Sequence, residues 1–415
     1  MTALAHDVNA RRRLNQAELD LIVAAHERFV AGKPGGKRAS LRFVDLSGLN
    51  LEDRDLSDAD LSGTVFENCR MRRAKLQRAN LFGCDLRKAD LRRAAMARAD
   101  LRGAVLRGAN LSQADLTQAD FREGQIGLAD RAKGLELQRP GGLDKANFSG
   151  AKLDGSCFTD VSACATDFSD CSMKGANLAG ANLKDANLAG ALLDGAELTG
   201  ANLENAKLTN AVLTGVDIRK ARNLLGADMS GCLREPTESA VGRTDELIAR
   251  ARGNQAWCQS NGREHAPACF DGEDLRPLGA GLRGLRLTAM TARGACLVGL
   301  DLTEVQLQGA NLEGADLRGA TLARADLRGA RLSGANLTKA NLRGAILAPL
   351  PLGGDRSTPV TLAKARLRYI NAKGADLTEA VLDGADLRGA DFTDATVLGA
   401  SLVGADLQQT TGLTS

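Results

Sequence analysis

Cys232, Cys258, His265 and Cys269 bring four side chains able to bind zinc into one short stretch of the chain. Structural zinc sites are commonly built on paired Cys-x-x-Cys knuckles, and this stretch has none. No metal is expected. Gly-Ala-Gly-Leu-Arg-Gly (279–284) spells the Gly-x-Gly-x-x-Gly run of dinucleotide sites. That chemistry needs the run between a strand and a helix. Here the glycines open a series of short repeats in which Gly recurs as a turn residue, so no cofactor is expected. The histidines are His6, His26 and His265. None belongs to a Ser/His/Asp or Cys/His arrangement, and a non-enzyme is expected. Asn-Phe-Ser (147–149) and Asn-Leu-Thr (336–338) match glycosylation acceptors, but a repeat generates them.

Charge is the uneven property. The formal net charge is +3. Twelve basic residues fall in one stretch: Arg70, Arg72, Arg73, Lys75, Arg78, Arg87, Lys88, Arg92, Arg93, Arg98, Arg102 and Arg107. Within it, Asp85, Asp90 and Asp100 oppose them. Residues 52–67 are acidic instead. A belt of this kind is either a solvated surface or a site for an acidic partner or nucleic-acid phosphate. Stacking of single-stranded bases is not expected, on the reading that no aromatic residues interleave with the arginines.

The elements that must carry these groups come from a repeat of five. Large apolar residues recur at every fifth position from Leu41 to Ile126, as in Leu46, Leu51, Leu56, Leu61 and Phe66. Two positions before each sits a mostly small residue, such as Ala59, Ala74, Ala79 or Cys84. Asp or Asn usually stands between them, in rows that read as a solvated face. A period of five fits neither a helix nor a simple strand. Extended backbone would point the small residue and the Leu the same way. The next two residues, often ending in Gly, must turn the chain.

The pattern Ala-(Asp/Asn)-Leu-x-x, as in Ala-Asn-Leu-Glu-Gly (310–314) and Ala-Asp-Leu-Arg-Gly (385–389), resembles that of pentapeptide-repeat proteins. The resemblance implies an all-β solenoid, a right-handed quadrilateral parallel β-helix with four repeats per coil. In such a coil Arg72 and Arg73 stack under Arg92 and Arg93, Arg78 under Arg98, and Arg87 under Arg107. Some members of the family bind DNA gyrase or related topoisomerases by imitating duplex DNA, which protects them from quinolones. A DNA mimic should be acidic along its length, and this chain is slightly basic.

Two tandem modules are expected. Residues 1–38 form a tail and a capping helix, with Asn15-Gln-Ala-Glu18 as a capping box. Leu19, Ile22, Val23, His26, Phe29 and Val30 fall on its inner face. Residues 39–228 form the first β-helix, with a loop at 127–142. Residues 229–274 hold a linker and a second capping helix, outlined by Thr244, Leu247, Ile248, Ala251 and Trp257. Residues 275–415 form the second β-helix, with a loop at 348–361. Pro and Gly mark both loops, which bulge from a helix that continues. Phe29-Val30 aligns with Trp257-Cys258, and Asp45-Leu46 with Asp274-Leu275, as duplication requires.

Apolar residues make up 44% of the chain but aromatic ones only 3%, as a thin Leu/Ala core explains. The absence of a signal segment and of a long apolar run points to the cytoplasm and reduced thiols. Cys69, Cys84 and Cys171 take the small inward position, where a thiol is a small apolar group. The expected function is a scaffold that binds a protein partner through faces and loops. The alternatives are a gyrase-binding DNA mimic and a nucleic-acid binder acting through the Arg belt. The C-terminal coil, without a helix of its own, suggests a homodimer.

Overall fold

The computed structural model describes residues 11–124 and 142–413. Its backbone forms a ladder of isolated parallel bridges between residues twenty apart, such as Ser40↔Asp60, Asp45↔Val65 and Thr291↔Asn311. Twenty residues are four repeats of five, so each coil has four sides. The bonding is the same from repeat to repeat. Leu46 N–H donates to the Val65 carbonyl and Val65 N–H to the Val44 carbonyl, both at 2.9 Å. Gly48 N–H donates to the Glu67 carbonyl at 2.9 Å, and Leu49 N–H closes the turn onto Leu46 at 3.1 Å.

The repeat residues are explained by this bonding. The large residue points inward and is buried from Leu41 to Phe121 and from Leu143 to Leu213; the residue two before it is likewise buried from Ala59 onward, whereas Val44, Leu49 and Arg54 in the first coil are half-buried. The third turn residue takes positive φ, so Gly is common there. The Asp or Asn row is not simply a solvated face. Asp45 Oδ1 accepts from the Ser47 N–H at 2.9 Å, and Asn147 Oδ1 from the Ser149 N–H at 2.8 Å. The short acceptor side chain thus holds each turn. Cys69, Cys84 and Cys171 are buried, and their thiols donate to the carbonyls of Leu46, Leu61 and Phe148. Burial pushes the Cys69 thiol up to about 12.

The ladder crosses its insertions. Val105 bridges Gly142 and Asp120 bridges Cys157, so coils resume in register beyond 125–141. The expected loop at 127–142 lies outside the described residues except for Gly142. The loop at 348–361 is not irregular. Leu350–Gly353 (β1) and Arg356–Thr358 (β2) pair as an antiparallel hairpin. Arg331 bridges Thr361 across it, ten residues beyond the usual spacing. Two repeats' worth of chain has paired with itself.

The chain divides into two compact units, Met1–Glu235 and Pro236–Ser415. Each has its own apolar core. In the first, helix α1 (Gln16–Val30) opens on the expected capping box, Glu18 N–H to Asn15 Oδ1 and Asn15 N–H to Glu18 Oε2. Leu19, Val23 and His26 are buried. Phe29 and Val30, expected on that face, are instead 45% and 42% exposed. The chain folds back beside the last turn, where Lys37 N–H donates to the Ala25 carbonyl at 3.0 Å. A Cβ on Gly36 would overlap the Phe29 backbone nitrogen. The residues before α1 also join the ladder, through Arg13↔Asp45.

In the second unit, a short helix α2 (Glu238–Gly242) precedes α3 (Thr244–Gln259). The buried residues of α3 are Leu247, Ala251 and Asn254, with Trp257 only half-buried. His26 and Asn254 do one job twice. His26 Nδ1 accepts from the Ala39 N–H at 3.0 Å, and its Nε2 lies 2.9 Å from the Ser57 carbonyl. Asn254 Oδ1 accepts from the Ala268 N–H at 2.6 Å, and its amide donates to the Thr288 carbonyl at 3.2 Å. Both side chains are fully buried. Each satisfies backbone groups of the neighbouring coil that burial would otherwise leave unpaired.

Candidate binding surfaces

The turn position with positive φ sets the geometry of the Arg belt. Bridges twenty residues apart bring equivalent turns of successive coils into columns. One column reads Asp53, Arg73, Arg93, Gln113, and the next reads Asp58, Arg78, Arg98, Gln118. In the first, both Arg73 contacts to Asp53 are 2.6 Å, and Arg93 Nε donates to Gln113 Oε1 at 2.9 Å. In the second, Arg78 grips Asp58 at 2.7 and 2.6 Å, and Arg98 Nε donates to Gln118 Oε1 at 2.8 Å. The lower arginine leans one way and the upper one the other.

The rest of the belt is largely paired as well. Arg87 is bidentate to the buried Asp85 at 2.7 and 2.6 Å and reaches Glu67 at 3.2 Å. Arg92 is bidentate to Asp90 at 2.7 and 2.5 Å, and Arg72 donates to the same carboxylate at 3.1 Å. Arg102 holds Asp100 at 2.9 and 2.7 Å, and Lys75 lies 3.5 Å from Asp55. The acidic segment 52–67 therefore sits one coil from the belt and neutralises much of it. Opposition by Asp85, Asp90 and Asp100 alone understates the counter-charge, because Asp53, Asp55, Asp58 and Glu67 are distant only in sequence. Phe82 also stands within the belt, with the Arg102 guanidinium 5.6 Å from its ring centre. The reading of a belt without aromatic residues is corrected accordingly.

The carboxylates respond to this pairing. The hydrogen bonds from Arg73 and Arg78 hold Asp53 and Asp58 below the usual Asp range. Burial pushes Asp90 up, but the hydrogen bonds from Arg92 outweigh it and leave Asp90 lowered. Exposed pairs of this kind add little stability each. Their larger effect is to leave positive charge in few places. Arg70, Lys88 and Arg107 are exposed and have no side-chain partner among the described residues. Arg98 is exposed and has a neutral amide as its partner.

Lys152 belongs with these residues and was not identified from the sequence. It bridges Asp115 across the insertion, thirty-seven positions away rather than twenty. The signal was present in the resumed Leu143 frame, but only once the extra residues are subtracted.

The hairpin is the other surface. Leu350 packs onto the coil over Gly309 and Gly329, and a Cβ on Gly329 would lie 2.7 Å from the Leu350 Cβ. Leu352 is 53% exposed on the hairpin, beside Asp355 and Arg356 at the turn. The Cys232 and Cys258 thiols face the carbonyls of Leu208 and Arg286, at 3.0 and 3.6 Å. Among the described residues no group of three His, Cys, Asp or Glu could hold a metal ion. Gly279 ends a 3₁₀ turn, Arg276–Leu278, and the glycines after it lie in turns of the coil, not before a helix. Among the described residues, no helix is long and apolar enough to cross a membrane.

Comparison with known proteins places the repeat. The profile described as Pentapeptide repeats matches residues 37–73, 50–87, 84–122, 287–322, 310–347, 360–394 and 373–409. A related profile, described as Pentapeptide repeat region, matches 142–218. No curated protein matches the chain. Among solved structures, full-length QnrB1, a plasmid-mediated fluoroquinolone resistance protein, is 19% identical. The match covers 57% of this chain and 94% of that one, with a TM-score of 0.20. HetL from the cyanobacterium Nostoc sp. strain PCC 7120, involved in heterocyst differentiation regulation, is 20% identical over 96% of each chain, with a TM-score of 0.12. A protein from the Arabidopsis thaliana thylakoid lumen is 30% identical over 28% of this chain and 69% of that one, with a TM-score of 0.12.

Proposed function

The chain belongs to the pentapeptide-repeat family, and from that premise we propose a non-enzymatic scaffold that binds a protein partner through its solenoid faces and its hairpin. The observation that carries this reading is the hairpin β1–β2. The ladder needs none of its residues, since Arg331↔Thr361 closes the coil without it. A solenoid offers long surfaces and few enclosed pockets, and a short element on a rigid wall is where binding residues commonly sit. The half-exposed Leu352 is its apolar contact. Within this reading the coils are right-handed, α1 and α3 cap the two modules, and the protein works in the cytoplasm. A homodimer would use the coil at 397–411, where Leu398 and Val403 are about three-quarters exposed.

The belt supports a second reading, nucleic-acid binding, through Arg70, Lys88, Arg98 and Arg107. Pairing of Arg72, Arg73, Lys75, Arg78, Arg87, Arg92 and Arg102 with carboxylates weighs against it. The same basic residues weigh against a DNA mimic directed at gyrase or topoisomerase. Affinity capture from a lysate of the source cells, with and without nuclease, separates the readings. A discrete protein retained after nuclease is expected. Material that disappears with nuclease would overturn the scaffold in favour of the belt.

A further inference from the structure

We propose that the groove between Arg78 and Arg98 is a binding site for a phosphate-class oxyanion. Neighbouring coils lie about 4.8 Å apart, close enough for two stacked guanidinium groups to repel. They part instead: Arg78 turns to Asp58 and Arg98 to Gln118. The space between them is a cavity of about 390 Å³, also lined by Gln77, Thr117, Asp115 and Lys152. Arg98 donates to Gln118 through Nε, which leaves its terminal nitrogens to donate. Lys152 is exposed and has no side-chain partner among the described residues. The one carboxylate in the groove, Asp115, is engaged by the N–H and hydroxyl of Thr117, at 3.1 and 2.6 Å.

The neighbouring column, with Arg73 and Arg93, parts in the same way but faces Asn147 where this one faces Lys152. The ammonium therefore singles out the Arg98 groove. A tetrahedral oxyanion offers several acceptors at once, which suits a guanidinium fork on one side and an ammonium on the other.

The site does not depend on the identity of any protein partner. Its test is calorimetric titration of the full chain at low ionic strength with inorganic phosphate, phenyl phosphate and acetate. The expected result is saturable phosphate binding at one site per chain, no saturable acetate binding, and at least tenfold weaker phosphate binding in Arg98→Gln/Lys152→Gln. Arg93→Gln should bind as the unaltered protein does. Phenyl phosphate binding as well as phosphate would identify an esterified phosphate as the ligand, and weaker binding would identify the free ion. Absence of saturable binding, or equal affinity in the Arg98/Lys152 variant with circular dichroism unchanged, would overturn the proposal. So would an equal loss in Arg93→Gln.

Discussion

At the residue scale, the inward columns were legible because burial imposes one size at each position. The partners of the outward residues were not. Asp53 and Arg73 meet only if the coil length is known to be twenty, and the sequence alone treats them as separate blocks. His26 shows the same limit: it reads as one apolar-face residue, but it satisfies the Ala39 N–H and the Ser57 carbonyl. His26→Ala and Asn254→Ala should each leave buried backbone groups unpaired, at about 1–3 kcal/mol per group. Chemical denaturation checks this, and equal stability would contradict it. Arg98→Gly should stabilise the fold by about 0.5–1 kcal/mol through relief of positive φ, while losing phosphate binding. The acid limb follows from Asp53 and Asp58. Their folded pKa values lie below the unfolded ones, so their contribution is present above about pH 4 and lost as pH falls through the folded values. Arg73→Gln/Arg78→Gln should flatten that loss in denaturation midpoints measured from neutral to acid pH, and an unchanged acid limb would count against the pairing.

At the scale of elements, the capping box at Asn15 and Glu18 was legible from local spacing, since a cap is a local device. The short α2 was not, because its five residues carry no periodic face. α3 was legible from Leu247 and Ala251, but the buried Asn254 was missed because an amide stands where a hydrophobe was sought. Pro and Gly correctly marked 348–361 as an interruption but could not reveal that its two halves pair. The hairpin yields two predictions. Deletion of 349–358 restores five-residue spacing between Leu347 and Leu362, so the variant should fold with little change in Tm. Loss of the cooperative transition would show that the hairpin supports the coil. Gly329→Ala should displace Leu350, because its Cβ would fall 2.7 Å from the Leu350 Cβ. Faster tryptic cleavage at Arg356 would report that displacement, and unchanged cleavage would refute it.

At the scale of the whole molecule, the repeat read from Leu41, Leu46 and their successors was sufficient for a β-helix solenoid. A period of five with paired inward positions leaves the backbone few other ways to satisfy its hydrogen bonds. Function was legible only as a class, because outward residues change at little cost to the ladder. Arg98 and Lys152 are separated in sequence by an insertion, and coil geometry alone brings them to one groove. The most direct measurement is affinity capture under nuclease with two baits, the full chain and the 349–358 deletion. A protein held by the full chain and lost with the deletion is the predicted result. A protein held equally by both baits, or none held by either, would contradict a scaffold that binds through its hairpin.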